Sequence, residues 1–436
     1  MSCVNTAGGL VEKAVAERPN RAGWVLLLLT AAMGINQLDR GVVAILLQSI
    51  KTEMHLSDTA LGLLTGFGFS IVYALASIPF GRLADRYSRI RIVSLGMLFY
   101  SVMAACMGFA ANIAQLIVAR SAVAVGEATG SAPSTSLIAD LYPARSRARA
   151  MGVWSSGTYI GLFLGLSGGG WLNQHYGWRV ALWALAVPGV VVAVALRLTA
   201  SEPVRGQSDE VAASAEGGSM RLAVRQLLGN RAYVFQLLAI VCSAFVNYTF
   251  SAWVPAFLGR SHHLDAAALG LAAGFFKGLL GLGGALLGGF AAHYLARGRL
   301  RTLGILAATS SLLIVPSMLV FLFAASERVS LIGLGVGSLL IPACQAPGLT
   351  FVQAIVAPGN RSFAMTLIFT CSSLFGLGIG PLVTGMISDA ASTRHGSHSL
   401  AYGLLLPTVV SLVTAGCFLV AAGKVDTSES HSRPGE

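Results

Sequence analysis

The chain has 436 residues, of which 55% are hydrophobic and only 11% charged, whereas a soluble domain carries about a quarter charged residues to cover its surface; water is therefore not its main solvent. The net charge of +11 does not indicate nucleic acid, because the basic residues fall in short loops between apolar runs instead of interleaving with aromatics on one polar face. Six cysteines (Cys3, Cys106, Cys242, Cys344, Cys371 and Cys417) show no paired spacing, and all but Cys3 sit inside apolar runs, so neither a disulfide framework, a metal site nor a bound cofactor is expected.

The first 22 residues are polar and carry Lys13, Arg18 and Arg21. The apolar run that follows is too long for a cleavable signal, so it is expected to stay as a first membrane span. A bilayer core takes about 20 apolar residues per helix, and runs of that length recur at 23–50, 59–80, 90–110, 113–138, 150–172, 178–200, 231–258, 267–295, 302–324, 329–357, 363–388 and 400–422. The expected fold is an all-α membrane protein of twelve transmembrane helices. A polar stretch at 201–230 divides it into a half at 23–200 and a half at 231–422, with a tail at 423–436. Lys and Arg fall 21 on one side of these spans and 5 on the other. Cytoplasmic loops retain positive charge, so the N-terminus, the linker and the tail are all expected in the cytoplasm. Arginine outnumbers lysine 25 to 4 in a chain rich in Ala and Gly, which fits a bacterial inner membrane.

Four charges lie inside the first half: Asp39 and Arg40 in span 1, Arg120 and Glu127 in span 4. Each would cost about 2.5–3.5 kcal/mol facing lipid at the bilayer centre, so they must face a cavity or one another. Arg120 and Glu127 are seven apart and share a helix face, and a rise of 1.5 Å per residue puts Asp39 about level with Arg120. An Asp39–Arg120 pair is expected, with Glu127 deeper and near the midplane. A carboxylate there is pulled one way by desolvation and the other by arginine, which suits a proton site. A static structural pair is the simpler alternative.

Between spans 2 and 3 stands Gly81-Arg-Leu-Ala-Asp85-Arg86-Tyr-Ser-Arg89-Ile-Arg91, and between spans 8 and 9, at an offset of 208, stands Gly289-Phe-Ala-Ala-His293-Tyr-Leu-Ala-Arg297-Gly-Arg299. Glycines spaced by four recur in span 5 (Gly157, Gly161, Gly165, Gly169), and span 11 is glycine-rich in the same way (Gly376, Gly380, Gly385); glycines four apart let helices approach closely. The second half has no carboxylate inside its spans. Its polar candidates are Asn247, Tyr248, Trp253, Gln345 and Gln353, with Lys277 expected to snorkel or fill a gap beside glycines, a head-group contact being the alternative.

The Gly81–Arg91 segment resembles the signature loop of the major facilitator superfamily, with Ser88 where that pattern prefers glycine. Ile35-Asn36-Gln-Leu-Asp39-Arg40, the Arg120 to Glu127 segment, Ile138-Ala-Asp140-Leu with Arg145-Ser-Arg147, and Trp253-Val-Pro255-Ala-Phe257-Leu258 resemble the Spinster family of lipid carriers. These resemblances imply two pseudo-symmetric six-helix halves and transport by alternating access. They imply proton coupling at Asp39 and Glu127, with Arg120 or Arg40 released to hold an anionic head group; Asn36, Tyr248 and Trp253 are further expected substrate contacts. They also imply a conformational latch of Gly81, Asp85, Arg86, Arg89, Asp140 and Arg145, weaker in the second copy, where His293 replaces the acid.

The expected substrate is amphipathic, such as a lysophospholipid, and the expected working unit a monomer in the bilayer. A carrier of small organic anions or sugar acids and a multidrug exporter are the alternatives. Span 5 has the glycine spacing of drug-exporting antiporters without the accompanying proline. No His-Glu-x-x-His run, phosphate loop or nucleophile elbow is present, so no enzyme is expected.

Overall fold

The computed structural model describes residues 4–205, 220–262, 264–296, 299–357 and 360–429, and among them there is no β-strand. Among the described residues, ten helices are long and apolar enough to cross a membrane. One of them, Ala144–Thr199, turns at Gly177, whose φ of 83° and ψ of 164° leave helical space, and so supplies two passes. A further pass is made by Ile113–Glu127 and Ser131–Leu141 in series. The twelve passes are α1 (Val4–Met54), α2 (58–86), α3 (Arg89–Met107), α4 (113–141), α5 (144–176), α6 (178–199), α7 (Arg231–His262), α8 (266–294), α9 (Leu300–Phe323), α10 (327–355), α11 (361–395) and α12 (Ser399–Glu429). A short helix, Met220–Gly229, precedes α7.

One expectation about boundaries needs correction. The span expected at 113–138 is broken at Ala128–Gly130, where the Glu127 carbonyl accepts from the Gly130 amide and a new helix starts at Ser131. Gly130 followed by Pro133 is the local cause, since glycine weakens a helix and proline is tolerated only in its first turn. The first apolar span begins at Ala22, beside the expected 23, and the helix itself continues backwards through the polar stretch to Val4.

Glycine makes the close crossings. A Cβ on Gly161 of α5 would stand 1.9 Å from the Gly34 carbonyl oxygen of α1, and one on Gly165 2.3 Å from that of Leu38; only glycine permits this approach. In the second half Gly376 and Gly380 of α11 seat on Ala244 and Thr249 of α7, so α5 on α1 and α11 on α7 are equivalent pairs. Between the halves Gly62 and Gly66 of α2 meet Pro381 and Gly378 of α11, while Gly170 of α5 meets Gly270 of α8. These crossings leave space between the halves only towards the middle and the opposite end.

Three π-helical turns interrupt the passes, at Leu63–Phe67, Phe275–Leu280 and Ser372–Ile379. The first two fall in the equivalent helices α2 and α8. Such turns often re-aim side chains at functional sites, and these carry Thr65, Lys277 and Ser372 to the central cavity.

Candidate functional site

Asp39 and Arg40 are neighbours on α1 and so point about 100° apart around the helix. Each finds the opposite charge on α4. The Arg120 guanidinium donates to Asp39 Oδ2, and Arg40 donates to Glu127 Oε2 through Nη2 at 2.8 Å and Nε at 3.2 Å. Arg120 and Glu127 can serve adjacent residues because two turns of α4 separate them on one face. All four groups are removed from solvent, with the Arg40 side chain the most open at 16%.

Phe69 of α2 lies beneath both cations, its ring centroid 4.5 Å from Arg120 Cζ and 5.1 Å from Arg40 Cζ, and Tyr73 lies 5.8 Å from Arg40. An aromatic face attracts a desolvated guanidinium, so Phe69 fixes both arginines. Nothing in its own sequence position set it apart from core packing.

Glu127 is the last helical residue before the break in α4. Its Oε2 takes both Arg40 bonds, while its Oε1 is buried with no hydrogen-bond partner among the described residues. The Tyr100 hydroxyl of α3 is likewise buried without a hydrogen-bond partner. Tyr100 borders a small void beside Asp39 and another beside Glu127, so it stands between the two carboxylates. A lone tyrosine in an apolar run gave no sequence signal for this.

The arginines face a central cavity of about 320 Å³. The first half contributes Gln37, Arg40, Thr65, Phe69, Arg120 and Tyr159 to its wall, and the second half contributes Asn247, Tyr248, Ser251, Lys277, Gln345 and Ser372 among apolar residues such as Ile240, Ile341 and Phe418. Three expected wall residues are elsewhere. Trp253 is fully buried and its indole N–H donates to the Pro381 carbonyl at 3.0 Å, joining α7 to α11. Asn36 borders the smaller void beside Glu127 instead of the main cavity. Gln353 is exposed.

Past the cavity, one end of the molecule is tied shut by a polar cluster that crosses between the halves. Asp58, at the start of α2, accepts from Arg260 of α7 twice at 2.7 Å, from Lys51 at 2.6 Å and from Ser388 at 2.7 Å. Asp389 of α11 accepts from the backbone N–H groups of Asp58 and Thr59 at 2.9 and 2.7 Å and from the Thr59 hydroxyl at 2.6 Å. An acid at a helix N-terminus meets both free N–H groups and the positive end of the dipole. Arg260 also donates to Gln48, and Gln174 accepts from the Ala267 N–H.

At the opposite end the first half carries a polar cluster of its own. Arg89 donates to Asp140 and, through Nε at 2.7 Å, to Glu202, which also accepts from Ser88 and the Ile90 N–H. Arg205 donates to the carbonyls of Ala84 and Tyr87, so the start of the linker is docked on the loop between α2 and α3. Burial works against the Glu202 carboxylate, but the hydrogen bonds from Arg89, Ile90 and Ser88 outweigh it and hold its pKa below the ordinary glutamate value. Of the other expected latch residues, Arg86 and Arg145 are exposed, and the side chain of Asp85 lies outside the described residues. A Cβ on Gly81 would meet nothing. In the second copy His293 is exposed and Arg297 lies outside the described residues.

Twelve apolar passes in two matched halves, with a charged cavity between them that is closed at one end, define a membrane carrier of the facilitator type. The profile of the Major Facilitator Superfamily matches residues 29–381, and the chain belongs to that superfamily. It is a transporter and not an enzyme. An MFS-type efflux pump of Mycolicibacterium smegmatis is 28% identical over 93% of this chain and 94% of its own. The sphingosine-1-phosphate transporter SPNS2 of Xenopus tropicalis is 28% identical over 90% of this chain and 80% of its own. Among solved structures, a bacterial homolog of the human lysosomal transporter Spinster, in an inward-facing and unoccupied conformation, superposes with a TM-score of 0.85 at 26% identity, over 93% of this chain and 98% of that one.

Proposed function

We propose that the protein moves an amphipathic substrate, such as a lysophospholipid, by proton-coupled alternating access, with Asp39 and Glu127 as the proton sites and Arg40 and Arg120 as contacts for an anionic group. The observation that carries this reading is the pair of carboxylate–arginine bridges set behind a cavity wall from which only the arginines emerge. Protonating either acid leaves its arginine without a partner at the cavity edge, where an anionic head group can take the acid's place. The unpartnered Oε1 of Glu127 is a ready site for that proton. The opposing wall interleaves apolar residues such as Ile240, Ile341 and Phe418 with polar ones, and its apolar part accommodates a chain. The cross-half cluster around Asp58 holds one end shut, and the charge asymmetry of the loops makes that the outer end, so this is an inward-open state. The Arg89–Asp140–Glu202 cluster acts as the latch that re-forms contacts with the second half when the inner end closes. A monomer in a bacterial inner membrane, with both termini inside, completes the reading.

The test is transport of a labelled lysophospholipid in liposomes with and without a pH gradient. Wild-type protein should respond to the gradient, and Asp39→Asn and Glu127→Gln should each transport at a rate independent of it. Gradient-driven transport that survives both substitutions unaltered sinks the coupling assignment.

A further inference from the structure

Lys277 has no part in the scheme above. It lies in the π-helical turn of α8, 7% exposed, between Gly274 and Gly278, which seat on Phe163 of α5. It lines the central cavity from the side opposite the arginines. Among the described residues it forms no ion pair with a carboxylate, whereas Arg40 and Arg120 each have one. A lysine that snorkels runs its stem along apolar surface to reach water at a membrane edge; this one turns into the substrate space.

The cavity's charge follows from these pairings. Its wall carries Arg40, Arg120 and Lys277 and no acidic side chain. The two arginines are neutralised from behind, so the ammonium of Lys277 is the one charge left uncompensated among the described residues that line it. A buried ion without a partner is strongly disfavoured, and a ligand that supplies the missing anion relieves that penalty. A zwitterionic head group brings its own cation and relieves it less.

We propose that Lys277 is a specificity-determining residue that selects single-chain amphiphiles with a net anionic head group over zwitterionic ones. This inference rests on the reading of the cavity as a site for amphipathic substrates. The full-length protein in nanodiscs is titrated with 1-myristoyl-lysophosphatidylglycerol, 1-myristoyl-lysophosphatidylcholine and gluconate, and dissociation constants are compared for wild type, Lys277→Gln, Lys277→Met and Lys277→Arg. Wild type is expected to bind the glycerol lipid about tenfold tighter than the choline lipid, a difference of about 1.4 kcal/mol. The Gln and Met variants should bring that ratio close to one by weakening only the anionic ligand, and Arg should restore it. Met preserves the apolar stem, so a packing defect confined to the amide variant does not hide the result.

Equal affinities in wild type, or a preference that persists in a folded Gln or Met variant, overturns the selector while leaving the lipid reading intact. If neither lipid binds but gluconate does, and loses affinity in Lys277→Met, the lipid reading fails and the anion selector stands.

Discussion

The two halves use equivalent helices and equivalent glycine crossings, yet they treat buried charge in opposite ways. In the first half every cation inside the membrane has an acid behind it: Asp39 for Arg120 and Glu127 for Arg40. In the second half Lys277 faces the cavity with no carboxylate among the described residues. Paired charges hold each other in place, whereas an unpaired one waits for a ligand. The same carrier fold thus gives one half cations compensated by acids behind the wall and the other a wall of mixed polarity with a single cation that has no acid among the described residues lining it.

The sharpest way to break this contrast is to remove one cation from each half. Arg120→Met leaves Asp39 buried and unpaired, and breaking a buried pair from one side is destabilising by about 3–5 kcal/mol. Thermal unfolding in detergent should show a large drop for this variant, with most of it recovered in Asp39→Asn/Arg120→Met. Lys277→Met removes an uncompensated charge and should leave the unfolding midpoint of ligand-free protein unchanged or raised. If the two single variants fall together, the halves do not differ in the way their pairings indicate.

Next in size is a comparison of glycines. Gly161→Ala drives a methyl into the Gly34 backbone at 1.9 Å, and Gly376→Ala meets Ala244 at 2.9 Å. Overpacking of this sort costs about 1–3 kcal/mol. Gly161→Ala should lie at or above the top of that range and Gly376→Ala near the bottom, read again from unfolding midpoints. Reversal of the order means that the α5–α1 crossing can relax where the α11–α7 crossing cannot.

Much of this contrast was legible in the sequence, and the exceptions share a cause. The twelve passes stand out because a bilayer demands long apolar runs. The Asp39–Arg120 pairing follows from depth and helical face, and the Gly157 to Gly169 stripe announces a close crossing. The partner of Arg40 was less accessible, since α1 alone does not say which way it turns; the seven-residue spacing of Arg120 and Glu127 decides it only once α1 and α4 are packed together. The break at Ala128–Gly130 had a visible signal in Gly130 and Pro133 that the surrounding apolar run masked. The Asp58 cluster had none, because its members read in the sequence as ordinary solvated charges at helix ends, and Asp58 and Arg260 are 202 residues apart. Trp253 and Gln353 were misplaced because a polar or aromatic residue in a span reads the same whether it faces a cavity, a neighbouring helix or the outside.

That cluster gives a third prediction, which asks whether the halves are held together at one end only. Arg260→Met removes two hydrogen bonds to Asp58, and bonds to charged groups contribute about 1.5–3 kcal/mol each. The end that bears Asp58 should open in a larger share of molecules, by about tenfold or more. Spin-label distances between the turn after α1 and the turn between α11 and α12 would report it. Gly81→Ala, where a Cβ meets nothing, should leave the same distance distribution untouched.

The smallest expected effect lies at the opposite end, in the polar cluster of the first half. Glu202 has its pKa held below the ordinary glutamate value, so its contribution to stability is present above the unfolded value of about 4.3 and is lost as pH falls through the lower folded value. Its side chain remains 29% exposed, and exposed pairs contribute about 0–1 kcal/mol. Glu202→Gln should therefore lower the unfolding midpoint slightly at pH 7, and the gap from wild type should close as the solution is acidified below the ordinary glutamate range. A gap that widened on acidification would mean that Glu202 is better stabilised protonated than charged, and that the linker is held to the α2–α3 loop by the Arg205 contacts to the Ala84 and Tyr87 carbonyls without help from this acid.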